Sequence, residues 1–245
     1  MPDFYAVPGN PNPTSRVALV TEILDPYLNS KGLIHALWFL AATCHSSTVY
    51  WESGRCVLQR ALSVVKGQRK NTVLQAFDDI YDQTRPTQQL HDDLGHLLEW
   101  VFFLLVRSKR HEPLRRHRGQ YTVLRQVRIR DPHHNFLDTG EMPGNGQRNL
   151  DVLAAVLDPR NSTLTAGSGF EVKYNLLTWL GTATFDRKLR YLAHLMQHLA
   201  HFTSYVVVPR PEHVQALSPC LSQKCQSLQI ADIRLVSLSS FVDGS

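Results

Sequence analysis

Between Gln88 and Arg107, the apolar residues Leu90, Leu94, Leu97, Leu98, Val101 and Leu105 recur at steps of three and four. That spacing lays one apolar stripe along a helix, and Thr87 stands where an N-cap is needed. Upstream, the pattern predicts four shorter helices. They run from Thr14 or Ser15 to Leu24, from Gly32 to Cys44, from Ser53 to Val65, and from Thr72 to Asp82 behind an Asn71 cap. Asp25-Pro26 and Arg85-Pro86 interrupt the run, because proline drives the residue before it out of the helical region. Residues 1 to 13, with Pro2, Pro8, Pro11 and Pro13, read as an extended or disordered lead.

After Arg107 the period shortens from 3.6 to 2. In Tyr121 to Arg130, Val123, Val127 and Ile129 share one parity and Arg128 and Arg130 the other, which predicts a strand. A polar loop with Pro132, Gly140, Pro143, Gly144, Asn145 and Gly146 follows. Asn149 to Leu157 is almost wholly apolar, the pattern of a strand buried on both faces. Asp158-Pro159-Arg160-Asn161 is a turn signal, and Gly169 to Tyr174 is the next strand. Thr184 is expected to cap a helix from Phe185 to Phe202, with Leu189, Leu192, Leu195 and Leu199 at core spacing. Ser204 to Val208 reads as a short strand stopped by Pro209-Arg210-Pro211, and Ile233 to Leu238 as an edge strand. The order from residue 87 is helix, three strands, helix, strand. We therefore divide the chain into a helical region, 1–86, and an α/β core, 87–245.

Composition narrows the functional classes. No apolar run reaches the roughly 18 to 20 residues that span a bilayer, and the N-terminus lacks the regions of a signal peptide, so no membrane role and a cytoplasmic location are expected. Four scattered cysteines, Cys44, Cys56, Cys220 and Cys225, do not suggest a disulfide scaffold. The formal charge is +5, and its distribution matters more than its size. From Arg107 to Arg130 nine basic residues face one acid, Glu112. Arg110, Arg115, Arg116, Arg118 and Arg128 are the expected phosphate contacts, since the guanidinium fork matches phosphate oxygens. By itself such a block suits an acidic protein partner equally well.

The candidate chemistry lies in the strands. Glu171 and Lys173 alternate onto one side of theirs, and Asp151 comes beside Glu171 if the two strands pair as a hairpin. Two converging carboxylates suit Mg2+ or Mn2+, and an adjacent lysine can orient water or stabilise a phosphorane-like transition state. Glu99 stands among apolar residues of the long helix, where a carboxylate is costly to bury unless paired or bound to metal. The plain alternative is a surface ion pair between Glu171 and Lys173, which contributes little. A second acidic-x-Lys triplet, Asp186-Arg187-Lys188, falls in a predicted helix and shows how readily the pattern arises. His194, His198 and His201 share a spacing but have no acid or cysteine among them, and Cys220, Cys225 and His213 make an incomplete zinc set.

Helix with Glu99, strand, strand with Asp151, strand with Glu171-Val172-Lys173, helix, strand: this order resembles the core of the PD-(D/E)XK, or restriction-endonuclease-like, nuclease superfamily over residues 87 to 208. Repair nucleases, Holliday-junction resolvases and defence nucleases share that core. The resemblance implies a mixed central sheet flanked by helices and metal-dependent cleavage of DNA phosphodiesters. It implies metal ligation by Asp151, Glu171 and the Val172 carbonyl, a catalytic role for Lys173 and an accessory role for Glu99. Leu150, not proline, precedes Asp151, a departure from the name-giving motif. A non-catalytic nucleic-acid-binding or assembly module of the same fold, and a partner-activated RNase, are the alternatives. The helical region offers a surface for a homodimer or a protein partner.

Overall fold

The computed structural model describes residues 3–9, 12–43, 48–82, 84–108, 111–133, 135–137 and 149–241. Contacts divide the chain into two compact units, 12–105 and the N-terminal strand together with everything from Val106 onward. The division differs from the expected break at 86/87, because most of the long helix groups with the helices before it.

The helical unit contains α1 (Ser15–Leu24), α2 (Lys31–Thr43), α3 (Thr48–Ala61), α4 (Gln68–Ile80) and α5 (Thr87–Ser108) through Leu105. All six residues of the α5 stripe are buried. Helix α4 begins a turn earlier than the Asn71 cap predicts, behind Gly67, whose φ of 66° suits glycine. Asp93 on α5 is wholly buried and meets the Arg85 guanidinium at 2.7 Å and that of Arg16 at 3.6 Å. Such burial requires a counter-charge.

The second unit is built on one six-stranded sheet: β1 (Tyr5–Pro8), β2 (Gln120–Arg130), β3 (Leu150–Leu157), β4 (Leu164–Val172), β5 (Phe202–Val208) and β6 (Arg234–Ser237), adjacent in that order. The first four are antiparallel neighbours; β5 and β6 run parallel to β4. The N-terminal lead is thus partly a strand, with Tyr5 opposite Arg130. Parallel neighbours need crossovers. Here α6 (Leu176–Leu180) and α7 (Ala183–His198) precede β5, and α8 (Pro211–Ser227) precedes β6. Thr182, not Thr184, caps α7 by accepting the Phe185 N–H at 3.2 Å. The sequence reading has no counterpart of α8. Pro211, which ends the β5 pattern, opens α8, because proline is favoured in the first turn of a helix.

One core joins Val127, Ile129, Leu153, Val206 and Val208 of the sheet to Phe185, Leu189, Leu192 and Leu195 of α7 and Leu221 of α8. Gly167 and Gly169 of β4 make room in it for the Phe202 ring: a Cβ would lie 2.8 Å and 3.0 Å from that ring. Among the described residues no helix is long and apolar enough to cross a membrane. The chain is α/β, with a mixed open sheet and helices.

Candidate active site

The antiparallel register of β3 and β4 pairs Val152 with Phe170 and Leu153 with Gly169, and one further step sets Asp151 opposite Glu171. The N–H groups of Gly167 and Lys173 point to carbonyls of the β5 side, so those of even-numbered β4 residues face β3. The last of them, Val172 N–H, is taken by the carboxylate of Asp151, which accepts it at 2.8 Å. The Lys173 ammonium donates to Glu171 Oε1 at 2.5 Å and to the Val172 carbonyl at 3.3 Å, and lies 3.9 Å from Asp151 Oδ2. It also stands 4.7 Å from the centre of the Trp179 ring. The two carboxylates and the lysine expected to meet do meet, at the end of β4.

Sequence reasoning missed a fourth member. Lys188 of α7 pairs with Glu171 Oε2 at 2.9 Å and donates to the Asn149 carbonyl at 2.5 Å. Its signal was present. Lys188 lies at helical spacing from Phe185, Leu192 and Leu195, so it interrupts the apolar stripe of α7. A lysine at such a position is costly to bury unless it meets a carboxylate. Glu171 is only 2% exposed. Burial pushes its pKa up, but the Lys173 and Lys188 ammonium groups outweigh burial and hold the carboxyl below its ordinary value. Two acids and two ammonium groups leave the cluster neutral.

Across β2, Arg125 pairs with Val152 and Val127 with Leu150, which sets Gln126 opposite Asp151. Gln126 has φ 50°, a left-handed conformation that costs a non-glycine residue roughly 1 to 3 kcal/mol and recurs at functional sites. Its carbonyl accepts the Gly9 N–H at 2.8 Å, and a Cβ on Gly9 would lie 2.2 Å from that oxygen, so only glycine permits the approach. Arg128 Nε donates to Asn149 Oδ1 at 2.7 Å. Asn149 therefore ties Arg128 and Lys188 to the start of β3.

The basic segment is not gathered at the site. Gln120 pairs with Leu157, so Arg115, Arg116 and Arg118 precede the far end of β2. From Gln126 to Gln120 is six residues, about 20 Å of strand. Arg115 pairs with exposed Glu112 at 2.7 Å. Of the expected phosphate contacts, Arg128 stands at the Asn149 end of β2, two residues beyond Gln126; Arg110 lies outside the described residues. Glu99 is nearly buried on α5 and belongs to the helical unit, so it is not among the side chains that the sheet itself brings together.

Among the described residues, no three His, Cys, Asp or Glu side chains are grouped to hold a metal ion. The rings of His194 and His198 lie 4.0 Å apart, whereas His201 stands against His117. Cys220 is exposed and Cys225 lies in the core, both as free thiols. The oxygens that do converge are Asp151 Oδ2, Glu171 Oε1 and the Val172 carbonyl, with the Lys173 ammonium as the cation among them. A hard divalent cation takes oxygen ligands of this kind, so the donor set fits Mg2+ or Mn2+. No protein-family model and no curated protein matches the chain.

Proposed function

We propose that the protein is a Mg2+- or Mn2+-dependent endonuclease of the restriction-endonuclease-like type that hydrolyses DNA phosphodiester bonds, in restriction, defence or repair. The observation that carries this reading is the gathering of Asp151 Oδ2, Glu171 Oε1 and the Val172 carbonyl around the Lys173 ammonium. The order of strands and helices in the sheet unit supports it. Asp151, Glu171 and the Val172 carbonyl would hold the ion. When bound, it lowers the pKa of water and neutralises charge developing on the phosphate. Lys173 orients the attacking water and stabilises the added negative charge. Lys188 keeps Glu171 ionised and fixed. Arg128 anchors a neighbouring phosphate, while Arg115, Arg116 and Arg118 meet the strand farther off. In this reading the helical unit supplies a dimer or partner surface.

The test is cleavage of plasmid and oligonucleotide DNA, with RNA as a parallel substrate, in Mg2+, Mn2+ or EDTA. Asp151→Ala, Glu171→Ala and Lys173→Ala should each lower the rate by a factor of roughly 100 or more. Cleavage that survives these changes ends the assignment. A second reading draws on the neutrality of the cluster, which needs no metal: a non-catalytic nucleic-acid-binding module. It predicts salt-sensitive binding without turnover and no calorimetric signal on adding Mn2+.

A further inference from the structure

Trp179 is the feature beside this site that the proposed chemistry leaves unused. The other three tryptophans are buried or half-buried, while Trp179 is 38% exposed and its neighbour Leu177 is 66% exposed. Trp179 therefore keeps part of a large aromatic ring in water directly beside a charged site. The backbone beneath is fixed. Leu176 is buried, the Trp179 carbonyl accepts both the N–H and the hydroxyl of Thr182 at 2.9 Å, and Thr182 caps α7. The ring is thus partly exposed on a backbone held by these bonds, with the Lys173 ammonium over one face, 4.7 Å from its centre. A strand that places a phosphate at Lys173 has a base within reach of this ring.

We propose that Trp179 stacks on an unpaired base of the strand held at Lys173, so that the substrate is single-stranded or locally opened nucleic acid rather than intact duplex. The inference rests on the reading of the site as a nucleic-acid site. In a duplex the faces of the bases are covered by their neighbours; in an open strand they are free, and an aromatic side chain takes them with little regard to sequence.

The experiment titrates the full chain, in EDTA, with a short single-stranded oligonucleotide, the same strand carrying abasic positions, and the matched duplex. Intrinsic fluorescence reads the ring and anisotropy of a labelled strand reads affinity. The single strand should quench the emission that Trp179→Phe removes, and bind about 5- to 150-fold more tightly than the abasic strand. Trp179→Ala should erase that ratio without weakening abasic binding, and Trp179→Phe should restore most of it. An unchanged ratio in Trp179→Ala, or equal quenching by duplex, overturns the inference. If Trp179→Ala keeps the ratio while the wild type still cuts DNA, only the stacking fails. If no strand binds the wild type, the nucleic-acid reading falls with it.

Discussion

Replacing Lys188 with methionine keeps the unbranched stem to within one atom of its length and removes the charge. The ammonium lost is 2.9 Å from Glu171 Oε2, and the side chains are 10% and 2% exposed. Breaking one partner of a buried pair costs about 3 to 5 kcal/mol. Glu171 still keeps Lys173 at 2.5 Å, which argues for the lower end, while the Asn149 carbonyl also loses its donor, about 1 kcal/mol. We expect a loss of about 3 kcal/mol at neutral pH. The measurement is hydrogen exchange at the β4 and β5 amides in EDTA, which reads the sheet unit that holds the pair. In a double-mutant cycle with Glu171→Gln, the pair should couple by about 1.5 to 3 kcal/mol. The pH dependence has a definite sign. Because the Glu171 carboxyl is held below its ordinary value of 4.5, its contribution is complete above that pH and fades as pH falls through the folded value. The gap between wild type and Lys188→Met should stay constant near neutrality and close in acid. A coupling below about 0.5 kcal/mol, or a gap that persists in acid, would refute the argument.

His111 is packed against Phe170, Tyr205 and Phe241, with ring centres 5.4, 5.7 and 5.5 Å away, and burial pulls its pKa down to about 4. The unfolded chain takes up the proton near pH 6.5, so stability should fall by up to about 3 kcal/mol between there and pH 4. Denaturation of His111→Phe over that range should lack this slope. Arg85→Ala leaves the buried Asp93 carboxylate, among the described residues, with Arg16 at 3.6 Å, and should lower the unfolding free energy of the helical unit by about 3 to 5 kcal/mol in urea. Gly169→Ala places a Cβ 3.0 Å from both Leu150 and the Phe202 ring, which should cost about 1 to 3 kcal/mol of thermal stability. Phe202→Leu in that background should recover part of the loss.

The sequence by itself determined what local periodicity encodes. The α5 stripe is buried as its spacing predicts, and the strand pattern from Tyr121 onward yields β2, β3 and β4 in order. It also carried the meeting of Asp151, Glu171 and Lys173, because a two-residue alternation fixes sides once the strands form a hairpin. Tertiary structure decided the rest. The pairing of β1 with β2 joined the N-terminal lead to the sheet, and α8 formed beyond a proline that reads equally as a stop or a first turn. The β2–β3 register carried Arg115, Arg116 and Arg118 away from the carboxylates, although the sequence keeps them near Arg128. Packing of α7 brought Lys188 to Glu171 across seventeen residues. The physical reason is the range of the forces involved. Side-chain alternation and helical spacing act over a few residues and are written in the chain. Register and helix docking are chosen by burial summed over distant segments, and only the folded whole contains that sum.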